Sequence, residues 1–276
     1  MKNLVSVIYT VGLMVCALSI SAQVPDFEKI PWKKKRIVKG LVWKHAHDSL
    51  FGVPQNINVL EVNLRQRSVN LIYDASKNAP TSQMASDAGS LAAVNAGFFD
   101  MKNGGSITFI KVDGVHETDT SKWKNWSTMN GALIIKKDGT IDLEPAAAYT
   151  LYENTEAYDD VLVTGPVLID RGTAPELPAV EFVDHRHPRT CLCIGRRNTV
   201  KFVTVDGRSE QSAGMSLREL TDLMKSLQCE EAINLDGGGS TTLWIKKEGG
   251  VVSMPSDNKK FDHEGERSVS NILAVF

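Results

Sequence analysis

"SLRELTDLMKSLQCEEAINLDGGGSTTLW", residues 216–244, carries a helix, a strand and a glycine-rich turn in one sweep. Ser216 stands at a cap position with Glu219 three residues later, and Leu217, Leu220, Leu223, Met224 and Leu227 recur as one apolar stripe. A serine oxygen that accepts from the backbone three residues on, with a glutamate reaching back, starts a helix; the stripe at 3.6-residue spacing buries one side of it. The stripe therefore reads as core. "EEAINL" then reads as a strand entering Gly237, Gly238 and Gly239, with apolar sequence resuming behind them.

Upstream, "INVLEVNL" (57–64), "SVNLIYDA" (68–75), "ITFIKVDG" (107–114) and "DVLVTGPVLID" (160–170) are β-branched runs bounded by Gly, Asn or Asp, as strands are. "GALIIKKDGTIDLEP" contains two such runs joined by Asp138-Gly139, a hairpin turn dipeptide. "TCLCIGRRNTVKFVTVDGR" predicts a second hairpin that delivers Asp206 and Arg208 to a strand end. "GTAPELPAVEF" (172–182) predicts a long surface loop. Hairpins with a few interspersed helices predict an α+β fold, with a mixed, largely antiparallel β-sheet core and flanking helices.

The N-terminus holds Lys2, an apolar stretch from Leu4 to Ile20, and small residues up to Ala22. That layout predicts a secretory signal peptide over 1–22, too short for a lasting anchor, and a single domain over 23–276. Cys16 lies at a lipobox-like distance from Leu13, but Val15 occupies the place of a small residue, so cleavage near Ala22 or Gln23 is expected rather than lipidation. The protein is expected to be secreted or periplasmic, without stable membrane insertion.

A formal net charge of −2 argues against a nucleic-acid partner, which normally selects a basic excess. The local run Lys33-Lys34-Lys35-Arg36 reads as a solvated arm. Three cysteines remain beyond the leader: Cys191, Cys193 and Cys229. Cys191 and Cys193 share one face of a strand, which does not suit a local bridge, and their spacing lacks a second pair of zinc ligands. The cysteines are expected to be buried small hydrophobes, with no disulfide holding the fold.

"NLDGGGSTT" fits neither a Walker loop nor a dinucleotide fingerprint, because a strand and not a helix follows it. It reads either as a nest of backbone N–H groups from Gly237, Gly238 and Gly239, backed by hydroxyls of Ser240, Thr241 and Thr242, or as a ligand-free bulge. Arg189, Arg208 and Arg267 favour the anion nest, since a planar guanidinium meets two phosphate oxygens at once. Each is equally a candidate for a surface ion pair. His185 and His187 stand nearby without a defined role. Asp206, Glu210 and Asp236 are carboxylates at predicted strand ends, placed for acid or base work at a sugar carbon or for ordinary Asp-Gly turns.

"NAGFFD" (95–100), "TGPVLID" (164–170), "HPRT" (187–190), "VDGRSEQSAGMSLREL" (205–220), "AINLDGGGSTT" (232–242), "MPSD" (254–257) and "RSVSN" (267–271) occur in an order that resembles the phosphodiester glycosidase family. That family includes a lysosomal enzyme that removes N-acetylglucosamine from a phosphodiester to expose mannose 6-phosphate. The resemblance spans roughly residues 90–276. It implies a hydrolase that cleaves a glycosyl phosphodiester, of α-N-acetylglucosaminyl type in that lysosomal member, at the anomeric carbon of an exported or extracellular glycan. Family membership alone does not fix residue roles; from the chemistry of an anionic diester, Arg189, Arg208 and the turn Gly237, Gly238, Gly239, Ser240 and Thr241 are expected to hold the phosphoryl group. Asp236, Asp206 and Glu210 are the candidates for acid, base or nucleophile, with Asp236 first, and Asn95, Asp100, Arg267 and Asn271, carried over from "NAGFFD" and "RSVSN", are expected to shape the sugar pocket.

The partner implied is a glycosyl-phosphate carbohydrate. No cofactor is predicted. A divalent cation enters only in a rival reading, a phosphodiesterase whose Asp100, Asp206 and Asp236 hold it through oxygen ligands. A second rival is a non-catalytic binder of anionic cell-wall polysaccharide.

Overall fold

Alternation of apolar side chains along each strand decides the architecture, because successive residues point to opposite faces of a sheet. The computed structural model describes residues 25–117 and 127–276; the expected signal peptide and Cys16 lie outside them. Every paired strand among the described residues is antiparallel.

The largest sheet has seven strands in the order Lys33–Val38, Leu41–Leu50, Val53–Asn63, Thr199–Val205, Arg189–Gly195, Glu231–Asn234 and Val167–Ile169. Two five-stranded sheets close over one face of it. One runs Ile141–Pro145, Gly131–Lys136, Tyr158–Thr164, Ile110–Val112 and Val115–His116; the other runs Gly250–Val251, Leu243–Ile245, Ala92–Asn95, Asn271–Val275 and Val69–Tyr73. Leu192, Ile233, Leu133, Leu162, Val94 and Leu273 all turn into the interior the three sheets share.

The intervening residues face outward and are buried again, each set under a helix. Cys191, Cys193, Val203 and Ala232 of the large sheet meet the stripe of helix Leu217–Ser226. Ala93, Ile272 and Ala274 meet Met84 and Ala85 of helix Thr81–Asp87. Ala132, Ile134, Val161 and Val163 meet Tyr152 of helix Tyr149–Asn154. Burial on both faces explains why these strands read as continuous apolar runs rather than as polar–apolar alternation.

The capping box forms as the sequence predicts: Ser216 Oγ accepts from Glu219 N, and the Glu219 carboxylate accepts from Ser216 N. Both hairpins form. One turns through Gly139, and the other turns through Arg197 and Asn198, both at positive φ. The 107–114 run is strand only over Ile110–Val112, and "DVLVTGPVLID" divides into two strands in different sheets. The four-cation run is not an arm but the first four residues of edge strand Lys33–Val38.

The expectation about cysteines is corrected. Cys193 is bonded to Cys229, and Cys191 stays a buried free thiol. The shared face of Cys191 and Cys193 was legible. The docking of helix Leu217–Ser226 on that same face, which returns Cys229 to Cys193, depends on tertiary packing.

A cross-link closing a loop with a sequence separation of 36 residues removes unfolded-state entropy worth about 3–4 kcal/mol in the loop-closure model. The double variant Cys193→Ser/Cys229→Ser is expected to lose that stability in urea unfolding. Wild-type protein unfolded in dithiothreitol should match it, and an unchanged midpoint in both would refute the contribution.

Candidate active site

The glycine-rich turn sits where the large sheet meets the sheet of Ala92–Asn95. Asp236 N donates to Ala96 O at 2.8 Å, and Asn95 Nδ2 donates to Asp236 O at 2.6 Å. Asn95 Oδ1 accepts from Thr190 Oγ1 at 2.7 Å and from Thr242 N at 3.2 Å. One fully buried amide thus clasps two sheets to both ends of the turn. Asn271 is a second clasp, its Oδ1 accepting from Gly97 N and its Nδ2 donating to Ser270 Oγ. Both asparagines are fully buried, so they brace the turn and do not offer a surface to a sugar.

The open nest is not formed. Gly237 N donates to Asp236 Oδ1 at 2.9 Å and Gly238 N to Pro188 O at 2.8 Å, so two of its three amides are used inside the protein. Ser240, Thr241 and Thr242 point inward, buried, and their hydroxyls have no full hydrogen bond to a described residue. The turn's outer side instead supports cations. Gly238, at φ +62°, leaves a space that Arg208 Nη2 occupies, 3.0 Å from where a β-carbon would stand. A methyl on Gly239 would overlap Asp257 Oδ1 and Arg267 Nη2.

The three arginines separate. Arg189 is 1% exposed and donates to the carbonyls of Met215, Phe182 and His185, with its guanidinium 5.0 Å from the Phe182 ring. It braces the loops behind the turn, which corrects the expectation that it meets phosphate. Arg267 pairs bidentately with Asp257, at 2.8 and 2.9 Å, over Gly239. Arg208 makes no hydrogen bond or ion pair to any described residue, and its backbone is left-handed at φ +63°. A side-chain-bearing residue held there is strained, and such strain concentrates at functional sites. The hold is steric: a β-carbon on Gly207 would lie 2.9 Å from Gly214 Cα and 2.9 Å from Pro188 N.

The carboxylates also separate. Asp206 is 0% exposed; its Oδ2 accepts from Asn56 Nδ2 at 2.7 Å and its Oδ1 from Met254 N at 3.0 Å. Burial pushes its carboxyl up to about 6 against those two donors. With no surface and both oxygens engaged, it ties strand Val53–Asn63 to the loop of Met254 and is corrected from the catalytic set. Glu210 is exposed on the wall of an open cleft of about 610 Å3, shared with Arg208, Gln211, Lys259 and Phe261. No hydrogen bond joins it to the turn. Asp100 accepts from Lys102 N, Asn103 N and Asn103 Nδ2 in its own exposed loop, which lowers its carboxyl and leaves it a turn residue.

Asp236 differs from both buried and surface acids. It keeps some exposed surface, and its carboxyl has one hydrogen bond of full geometry, from Gly237 N. Burial raises it to about 6; the nearby Ser240 hydroxyl, the Gly237 amide and the Arg267 charge pull the other way. His187, half-buried, is held below the ordinary imidazole range by burial and by Arg189 and Arg208. Asp100, Asp206 and Asp236 do not converge: among the described residues no three His, Cys, Asp or Glu side chains are placed to hold one ion. Asp257 was missed as a site residue, although "MPSD" belongs to the motif series that marks it.

Residues 88–276 match the family model described as phosphodiester glycosidase. The chain is 26% identical over 214 residues to N-acetylglucosamine-1-phosphodiester alpha-N-acetylglucosaminidase of Mus musculus, covering 72% of this chain and 40% of that protein. It is 39% identical over 183 residues to the SPbeta prophage-derived uncharacterized protein YomE of Bacillus subtilis, covering 57% of this chain and 27% of that one. The chain thus spans less than half the length of these curated relatives. The zebrafish N-acetylglucosamine-1-phosphodiester alpha-N-acetylglucosaminidase catalytic domain, solved as auto-inhibited by its pro-peptide, shares the fold, with a TM-score of 0.68 at 22% identity over 88% of this chain and 83% of that one.

The raised Asp206 carboxyl favours its neutral form in the fold. Its stabilising contribution is present below the unfolded value near pH 4 and is lost as pH rises through about 6. Asp206→Asn is therefore expected to destabilise most near pH 4, with the gap from wild type shrinking by pH 7. Urea midpoints across that range test this, and a gap that widens with pH would exclude it.

Proposed function

The chain belongs to the phosphodiester glycosidase family, and from that membership and the geometry of the turn we propose that it hydrolyses a glycosyl phosphodiester at the sugar's anomeric carbon. The observation that carries this reading is the unpartnered Arg208 guanidinium lying against Gly238, two residues from the part-exposed Asp236. A phosphodiester brings one negative charge and an anomeric carbon, and this pair offers a cation for the first and a carboxylate for the second.

Arg208 takes the phosphoryl oxygens, and Arg267, fixed by Asp257 over Gly239, adds positive potential on the other side of the turn. A phosphate monoester leaves well once its charge is met, so little protonation of the leaving oxygen is needed. The ionised Asp236 then removes a proton from water as the water oxygen bonds to the anomeric carbon and the carbon–oxygen bond to phosphate breaks. A carboxyl raised to about 6 is a better base than an ordinary one and is still largely ionised at pH 7. The α-N-acetylglucosaminyl linkage in the mouse relative's name makes that diester the first substrate to assay.

Export belongs to the same reading. It is supported by the leader-like residues 1–22 and by the Cys193–Cys229 bond, which is at home in an oxidising compartment. Among the described residues no helix is long and apolar enough to cross a membrane.

With an N-acetylglucosaminyl phosphodiester, hydrolysis in heavy-oxygen water is expected to label the sugar; label in phosphate would overturn the proposal. Activity should fall as pH drops below about 6 and Asp236 protonates. Asp236→Asn should lower kcat at least 100-fold with its thermal melt preserved, whereas a loss of tenfold or less removes Asp236 from the mechanism.

A further inference from the structure

The cation run at Lys33–Arg36 and the strand beside it are not used by the chemistry above. Register places Lys33 opposite His45, Lys34 opposite Lys44, Lys35 opposite Trp43 and Arg36 opposite Val42. Directly paired residues share a face of the sheet. Lys33 and Lys35 therefore flank the face that carries Trp43, His45 and His47, while Lys34 and Arg36 lie on the other. Lys35 pairs with Glu248 at 2.7 Å; Lys33, Lys34 and Arg36 have no acidic partner among the described residues.

The face with Lys33 leads into the cleft. Trp43 and His45 have ring centroids 6.0 Å apart, and His47 and Phe261 are likewise 6.0 Å apart. His47 Nε2 lies 2.9 Å from Gln211 O, and both Gln211 and Phe261 line the cleft that holds Arg208. Trp43 and His45 are anchored from below, by Trp43 Nε1 to Asn58 Oδ1 at 3.2 Å and His45 Nε2 to Asn56 Oδ1 at 2.8 Å. His47 is exposed, and the other two rings are half-exposed. From Trp43 to His47 the strand adds about 13 Å to the cleft, at about 3.3 Å per residue.

We propose that this face, Trp43, His45 and His47 with Lys33 beside it, continues the Arg208 cleft as a track for a polymer of phosphodiester-linked sugars, so that the protein grips a repeating chain rather than an isolated diester. The proposal rests on the glycosyl phosphodiester reading and extends it to the size of the substrate. Flat rings offer apolar faces to the C–H side of a pyranose, and a lysine on a flexible stem follows a phosphate that recurs along the chain. Lys33 and Lys35 stand on the track face and Lys34 and Arg36 on the other, so removing each pair separately tells a track from general attraction of anions.

The test uses the full chain carrying Asp236→Asn, so that ligands stay intact during calorimetry. The ligands are a single methyl N-acetylglucosaminyl phosphodiester and a synthetic hexamer of N-acetylglucosamine joined by phosphodiesters. The hexamer is expected to bind at least 30-fold tighter than the single unit, beyond the roughly sixfold that six equivalent repeats give by counting. Lys33→Ser/Lys35→Ser should cut that ratio to tenfold or less. Lys34→Ser/Arg36→Ser, the same charge loss on the opposite face, should leave it within twofold of the parent.

Equal losses in the two double variants, or a parent ratio near six, would overturn the track while the site reading stands. Failure of both ligands to bind would overturn the track and the site reading together. The parent ratio decides the matter even if a lysine variant folds poorly.

Discussion

The interior shared by three sheets fixes what its polar rim can do. Central strands such as Arg189–Gly195, Gly131–Lys136 and Asn271–Val275 bury one face in that interior and the other under a helix, so they have almost no freedom to shift: a one-residue slip would exchange two apolar surfaces with different partners. Leu192 and Cys193, adjacent in sequence, illustrate this, one packed in the common core and the other bonded beneath helix Leu217–Ser226. The rigid register is what allows a turn at the end of Glu231–Asn234 to be held from a neighbouring sheet by a single asparagine.

Polar groups near the turn divide by access to solvent rather than by residue type. Asp206 and Arg189 are ionisable but enclosed and bonded inside the protein, and they make the frame. Asp236, Arg208 and Arg267 have the same chemistry with surface left over. Burial raises Asp206 and Asp236 to a similar extent, to about 6 in each case, so a perturbed carboxyl alone does not identify a reacting group here. The distinction comes from what each oxygen already touches and from whether a sugar can reach it.

Much of the fold was legible because local signals and long-range packing agreed. The capping box at Ser216 and Glu219, the Asp138-Gly139 hairpin and the Asp206 strand end all appear where the sequence puts them. The site was legible as a neighbourhood and less so as an inventory. Sequence order shows that Arg189, Arg208 and Arg267 stand near polar turns, but not that one of them faces inward across Phe182. It likewise shows three cysteines without showing which returns to which. The glycine run reads from sequence either as an opening for ligand amides or as a bulge; the structure uses its lack of side chains to admit two guanidinium groups from outside.

Gly207 and Gly214 meet back to back beside Pro188, with no room for a β-carbon on either. The loop bearing Arg208 therefore has a fixed thickness and cannot be tuned by substitutions at its own base. Ligand preference is more readily varied on the opposite bank, where the side chains of Lys259 and Phe261 line the cleft. Engineering of a new specificity should begin there, leaving the arginine's hinge as an invariant ruler against which each redesigned wall is measured.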